Sequence, residues 1–245
     1  MKKTLYSIVI PAFNEEKYLP HTLESVKNSM QHIKDNGELI VVDNNSTDQT
    51  AVIAKKFGAT VIFEKLNQIA TARNAGGKKA QGEFIIFLDA DTTLTAEILQ
   101  KALKLLKSGV AGGGITIQFN KKLAKPYIAL VGLWNLFSKT FKIGAGCFIF
   151  CQKQVFDEIE GFNENLYASE ELYFCLNLKK WAKKHNKKVF IIHDISIVSS
   201  ARKFEWFKPW QFWGLIIMIF FLPLFGFSKK MTQKWWYERP KNNKP

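Results

Sequence analysis

Apolar, β-branched runs recur at residues 5–10, 39–42, 60–63 and 84–88. Between them, at 16–33, 48–57, 68–81 and 95–107, apolar positions return every three or four residues. Short apolar runs bounded by turn residues read as buried strands, and the longer recurrence reads as amphipathic helix. The stretch 95–107 is the clearest: Ile98, Leu99, Ala102, Leu103, Leu105 and Leu106 form one apolar stripe, with Lys101, Lys104 and Lys107 opposite. Thr95 precedes it as an N-cap and Gly109 follows its last turn. This alternation predicts an α/β fold with a mostly parallel sheet and helices on both faces.

After "AGGGITIQF" (111–119) the rhythm changes. Residues 127–141, "YIALVGLWNLFSKTF", are apolar and aromatic on more than one face. A strand is expected over 144–150, a helix over 169–185 and a strand over 188–193. Residues 209–227, "PWQFWGLIIMIFFLPLFGF", carry no charge. As a helix, the 18 residues from Trp210 would reach about 27 Å against a hydrocarbon core of about 30 Å. Pro223 would break the last part. Arg202, Lys203 and Lys208 precede the run and Lys229 and Lys230 follow it, with Trp206, Trp210, Trp213, Trp235, Trp236 and Tyr237 around it. Basic flanks on both sides favour a segment that enters and returns, or lies in the interface, over a single span. A buried core helix with a basic tail is the alternative. The expected organisation is a catalytic unit over 1–200, in halves 1–120 and 121–200, and a membrane-associating segment over 201–245.

Charge sharpens this. The 245 residues hold 35 Lys and Arg against 21 Asp and Glu, a net +14, which points to a polyanionic partner. Residues 201–245 hold nine basic residues against Glu205 and Glu238, half the net charge in under a fifth of the chain. Their basic residues are interrupted by the 19-residue uncharged run, which argues for an anionic membrane surface rather than nucleic acid. Cys147, Cys151 and Cys175 form no C-x-x-C and read as reduced core thiols. The N-terminus runs directly into "LYSIVIPAF" without the pattern of a signal peptide, so the expected location is the cytoplasmic side of the cell membrane.

Three carboxylate-bearing turns follow predicted strands: "PAFNEE" (11–16), "DNNSTD" (43–48) and "DADTT" (89–93). Ligands of an open α/β sheet bind outside the carboxyl ends of the strands, so the three turns would line one crevice. Each alone is ordinary punctuation, and Asp48 could be only a helix N-cap. Buried carboxylates are costly unless paired, hydrogen-bonded or bound to a cation, which makes Asp89 and Asp91 at the end of "FIIFL" conspicuous.

Together and in this order, the turns resemble the nucleotide-sugar-binding half of family 2 glycosyltransferases of the GT-A fold, over about residues 5–200. The resemblance implies that Pro11, Ala12 and Glu15 wrap the nucleoside, Asp43 bonds the base and Arg73 approaches the diphosphate. Asp89 and Asp91 would be the D-x-D pair, Asp91 as direct metal ligand and Asp89 on the ribose or the metal. Asn44 stands where a second Asp is common and Asn45 where Gly is common. In "GFNENLYASEELYF" (161–174), Glu171 falls where the family carries its Asp base, with Glu170 as runner-up. Alternatively both glutamates only complement the dipole of their helix.

A diphosphate is repelled by carboxylates unless a divalent cation bridges them, and hard oxygen ligands favour Mg²⁺ or Mn²⁺. His193, ending "KKVFIIHD", is a further candidate ligand against a structural role. Arg202 is a candidate for the diphosphate or a lipid phosphate, and Lys78 and Lys79 read as helix surface. The resulting expectation is a metal-dependent inverting transfer from a nucleoside-diphosphate sugar, UDP ahead of GDP, to a glycan or lipid acceptor at the membrane. A polyprenyl-phosphate glycosyl synthase and a catalytically silent nucleotide-sugar-binding protein are the alternatives.

Overall fold

The computed structural model describes residues 3–166 and 169–202. The expected alternation forms β1 (Tyr6–Ala12), α1 (Leu19–Gln31), β2 (Gly37–Asp43), α2 (Thr50–Lys56), β3 (Thr60–Phe63), α3 (Ile69–Lys79) and β4 (Phe84–Leu88). There follow β5 (Thr92–Thr93), α4 (Ala96–Lys107), β6 (Gly112–Phe119), α5 (Lys125–Phe141) and β7 (Phe148–Gln152). The chain continues through α6 (Lys153–Glu158), α7 (Glu170–Lys184) and β8 (Val189–Ser199).

The strands form one mixed sheet in the order β3-β2-β1-β4-β7-β6-β8-β5. β1 to β4 are mutually parallel, β7 runs antiparallel to both β4 and β6, and β6 is parallel to β8. The carboxyl ends of β1, β2, β4, β6 and β8 therefore share one edge, and the start of β7 joins them there. Side chains alternate across the sheet with period two. Ile8, Ile10, Val41 and Ile86 pack with α1, α2 and α4 on one face, and Val9, Ile40, Val42, Ile85 and Phe87 pack with α3, α6 and α7 on the other. Burial on both faces explains why these strands read as continuous apolar runs.

Thr95 caps α4, its hydroxyl accepting from the Ile98 amide, and Gly109 takes a left-handed φ of 91° after the last turn. The "GGG" run of β6 is required by close approach: a Cβ on Gly113 would lie 1.7 Å from the Phe190 carbonyl oxygen of β8.

The strand expected over 188–193 does not end at His193. It bulges and runs on to Ser199: Ile115 faces Ile192, the next residue Thr116 faces Ser196, and residues 193–195 are left over. The Thr116 hydroxyl reaches the Ile195 carbonyl across this bulge. The expected membrane-associating run at 209–227 lies outside the described residues. Among those described, no helix is long and apolar enough to cross a membrane.

Candidate active site

The shared carboxyl edge encloses a cavity of about 340 Å³. Pro11, Ala12 and Glu15 enter it from the end of β1, Asn44 from β2 and Asp89 to Asp91 from β4. Ile117 and Phe119 come from β6, Gly146 and Cys147 from the approach to β7, and Ser199, Ser200 and Arg202 from the end of β8. Arg73 of α3 and Glu170 and Glu171 of α7 complete the wall.

The first two turns are laced together. Asn14 Oδ1 accepts from the Thr47 amide and the Ser46 hydroxyl accepts from the Asn14 amide. Asp48 Oδ2 accepts from the Glu16 amide, while its Oδ1 accepts from Thr50 at the start of α2. Asn14 and Asn45 have φ of 52° and 66°. Asn is one of the few residues that visits this left-handed region readily, so Asn45 fills the position where the resemblance expects Gly. Asp43 is buried and its Oδ1 accepts from the Ser46 amide. It is not among the residues lining the cavity, whereas Asn44 is, and the Asn44 amide holds the 64–66 loop through the carbonyls of Glu64 and Leu66.

Arg73 is 2% exposed and joins the third turn to α7. Its Nη1 donates to Glu170 at 2.8 Å, and its Nη2 donates to Asp89 at 3.0 Å and to the Gly146 carbonyl at 2.9 Å. The guanidinium also lies 5.2 Å from the Phe162 ring centre, and Phe162 stacks on Phe174 of α7. Arg73 thus reaches the cavity wall as expected, but both terminal nitrogens bond protein acceptors. Burial works against its charge, and Asp89, Glu170 and Glu171 offset this and raise its pKa. Glu170 is driven the other way: burial first, then the Glu171 charge, pushes its carboxyl up to about 8 despite Arg73. One buried guanidinium among three carboxylates cannot neutralise them all, so the glutamate pair retains a proton at neutral pH. That environment is unlike an exposed first turn that only complements a helix dipole.

The loop before α7 is held by side chains the sequence did not single out. Asn74 Oδ1 accepts from the Phe162 amide, and its Nδ2 donates to the Phe162 carbonyl and to Glu164. Gln68 Nε2 donates to the carbonyls of Glu164 and Leu166. Their signal was proximity to Arg73 in "QIATARN", Gln68 five residues before it and Asn74 immediately after.

Asp91 is met by Arg202. The two-residue β5 follows the D-x-D turn and pairs Thr92 with Ser199 of β8, and the Ser200 amide then donates to the Asp91 carbonyl. This delivers Arg202 Nε to within 2.9 Å of Asp91 Oδ2, while Nη1 and Nη2 each reach Glu15 at 2.7 Å. The guanidinium also lies 4.8 Å from the Tyr18 ring centre. Burial opposes the Arg202 charge, but Glu15 and Asp91 outweigh it and raise its pKa. Asp91 is therefore ion-paired through Oδ2 to Arg202, which a cation at this carboxylate would have to displace.

His193 is corrected as a metal ligand. It sits on the β8 bulge, exposed, with its Nδ1 at 3.1 Å from the Ile191 carbonyl, and it does not line the cavity. Five further residues of strand separate it from Ser199. Among the described residues, no three His, Cys, Asp or Glu side chains converge as a metal cluster. Asp89 and Asp91 remain as the oxygen pair and fit a hard cation in donor type and charge. Cys151 and Cys175 are buried free thiols whose pKa burial raises, that of Cys175 to about 12, which suits inert core residues.

The sequence model described as glycosyl transferase family 2 matches residues 7–159. Poly(ribitol-phosphate) β-N-acetylglucosaminyltransferase TarS of Staphylococcus aureus is 31% identical over 144 residues, covering 51% of this chain and 25% of that one. An uncharacterised glycosyltransferase of Haemophilus influenzae is 38% identical over 113 residues, covering 43% and 44%. The chain thus spans between a quarter and under half of these relatives. Among solved structures, S. aureus TarS 1–349 in complex with UDP-GlcNAc superposes with a TM-score of 0.63 at 18% identity, covering 95% of this chain and 70% of that one. Glucosyl-3-phosphoglycerate synthase from Mycobacterium tuberculosis, in complex with Mn²⁺, UDP and glucosyl-3-phosphoglycerate, gives 0.61 at 15% identity, covering 86% and 75%. At these identities the structural likeness shows a shared fold.

Proposed function

Because the chain belongs to glycosyl transferase family 2, we propose that its cavity binds a nucleoside-diphosphate sugar and passes the sugar, with inversion, to an acceptor hydroxyl or a lipid. The observation that carries this reading is the convergence of Asp89, Asp91 and the Glu170–Glu171 pair on one cavity at the carboxyl edge of the sheet. UDP ranks ahead of GDP, supported by the N-acetylglucosaminyltransferase among the sequence relatives and by the UDP-GlcNAc complex among the structural ones. A GDP-mannose and Mn²⁺ complex of the mannosyltransferase from Pyrobaculum calidifontis is a structural neighbour too, so the base is open to direct test.

Pro11, Ala12 and Glu15 offer the nucleoside its wall. Asp43 braces the turn that presents Asn44 to the donor side. Asp89 and Asp91 would hold Mn²⁺ or Mg²⁺, which when bound supplies the positive charge that steadies a departing diphosphate. Arg73 does not spend its charge on the diphosphate. It orients Asp89 and Glu170 together, so the donor side and the base side of the cavity share one rigid connector. Glu171 lies on the wall as the base that takes the acceptor proton. Glu170, its carboxyl raised by burial and by the neighbouring Glu171 charge, keeps a proton at neutral pH beside it. Ile117 and Phe119 give the cavity an apolar wall on the β6 side. Residues 201–245, basic and carrying the uncharged run, would hold the enzyme at the cytoplasmic face of the membrane near a lipid-borne acceptor.

A screen of UDP-, GDP- and dTDP-sugars for Mn²⁺-dependent binding and slow hydrolysis tests the reading. We expect a UDP-sugar to bind and turn over only with the metal. No binding of any of the three with Mn²⁺ or Mg²⁺ would overturn it. Turnover that survives loss of both Glu170 and Glu171 with a polyprenyl phosphate would move the acceptor from hydroxyl to phosphate.

A further inference from the structure

We propose that the outward face of α5 is a docking surface for an anionic lipid bilayer. The inference extends the membrane part of the reading above, and its experiment separates the two.

α5 is built inside out relative to α4. In α4 the apolar stripe faces the core and the lysines face water; in α5 only Leu130 and Ser138 are buried. Ile128, Leu133 and Leu136 are 54%, 52% and 57% exposed, and with Ala129 and Gly132 they fall at the three- and four-residue spacing of one helix face. Lys125 and Lys139 continue that stripe at its two ends, with Lys121, Lys122 and Lys142 just beyond. No Asp or Glu occurs from residue 120 to residue 156. An apolar stripe with only cationic ends suits the boundary between acyl chains and anionic headgroups, where lysine stems lie along the apolar zone and their ammonium groups reach the phosphates.

The other occupants fit less well. A second copy laid antiparallel would set Lys125 against Lys139, and laid parallel would set each lysine against itself. The uncharged run at 209–227 could cover the leucines but brings no charge to meet the lysines. At 17 residues, about 26 Å as a helix, α5 falls short of a hydrocarbon core of about 30 Å. It is also tied to the sheet. Asn135 accepts from the Ile117 amide and donates to the Ile117 carbonyl, both at 2.9 Å, on the side of β6 that β7 leaves free beyond Gly114. α5 therefore lies on the surface rather than crossing it. Because Ile117 lines the cavity, docking through α5 sets the cavity wall beside the bilayer.

The test uses the full chain with Cys147→Ser and Leu133→Cys, the new thiol carrying an environment-sensitive nitrobenzoxadiazole label. Vesicles are phosphatidylcholine with or without phosphatidylglycerol. We expect a blue shift and a several-fold loss of iodide quenching with phosphatidylglycerol vesicles only. No shift on vesicles that the protein nonetheless floats with would place the contact elsewhere and overturn the proposal, as would failure to float. A blue-shifted label before vesicles are added would mean the chain itself, or a second copy, covers the face, and would overturn it too. Unlabelled Leu133→Asp with Leu136→Asp, both at exposed positions, should float several-fold less while binding UDP-sugar in solution as the parent does. Equal flotation would count against α5. Failure of the parent to bind any nucleotide sugar would sink the glycosyltransferase reading and leave the vesicle result standing.

Discussion

Asp91 and Arg202 carry the most direct consequences at the level of single side chains. Asp91→Asn keeps the shape but removes the charge that would hold a cation. We expect Mn²⁺-dependent donor affinity to fall at least about tenfold, ~1.4 kcal/mol, while circular dichroism and melting stay near the parent's. Arg202 occupies Asp91 Oδ2 and both Glu15 oxygens, so it competes with any metal for Asp91. Arg202→Ala should tighten Mn²⁺ binding without nucleotide, on the order of tenfold, by titration calorimetry. An unchanged metal affinity would deny the competition, and a fall in donor affinity instead would make Arg202 a diphosphate ligand. Glu170 gives a pH signature. Its carboxyl is raised from 4.5 to about 8 in the folded chain, so between those values the folded state holds a proton that the unfolded chain has released. Its contribution to stability is therefore present below about 4.5 and lost as pH rises to 8. Relative to Glu170→Gln, the parent should lose on the order of 1 kcal/mol or more between pH 5 and 8, read from denaturant titrations. A constant difference would refute the raised value.

Secondary-structure elements fail in graded ways. Thr95→Ala removes one cap hydrogen bond from α4 and should cost about 1 kcal/mol. Gly113→Ala forces a methyl group into the Phe190 carbonyl and must open the β6–β8 seam, so about 3 kcal/mol is expected. Thermal melts that rank the two in the opposite order would mean that β6 can shift to accommodate a side chain. The Gly113 substitution carries a second effect, because β8 delivers Ser199, Ser200 and Arg202 to the cavity through its pairing with β6 and β5. Loss of donor binding should accompany the loss of stability there and not at Thr95.

For the molecule as a whole, charge and apolar surface act together. A net +14 gives long-range attraction to anionic vesicles, and that attraction is screened as the Debye length falls from about 10 Å at 0.1 M salt to about 3 Å at 1 M. We expect the full chain to float with phosphatidylglycerol vesicles at low salt and to be released only in part at high salt, because the apolar contact remains. Complete release would make the contact purely electrostatic. Full resistance to both salt and alkaline carbonate would point to a span within 209–227.

The first four strands and the helices among them could be read directly from the chain, because each is set by local periodicity and local turns. A strand buried on both faces must be apolar along its length, and α4 announces itself by stripe, cap and terminal glycine. The D-x-D turn could be found as a motif, because a carboxylate after an apolar run is costly wherever the chain folds, whereas the Glu170–Glu171 pair stood out only through the family resemblance. Direction and partnership could not be found so. Nothing in "CFIF" says that β7 runs antiparallel, and β6, short β5 and α6 carry too little periodicity to stand out. His193 was placed at a strand end because the apolar run stops there; pairing with β6 carries β8 past a bulge to Ser199 instead. Arg73 and Arg202 were visible as cations, but their acceptors are distant in the chain: Glu170 lies 97 residues from Arg73, and Glu15 lies 187 from Arg202. Long-range ion pairs of this kind leave no local pattern, because only the packing of the sheet brings their two halves within reach.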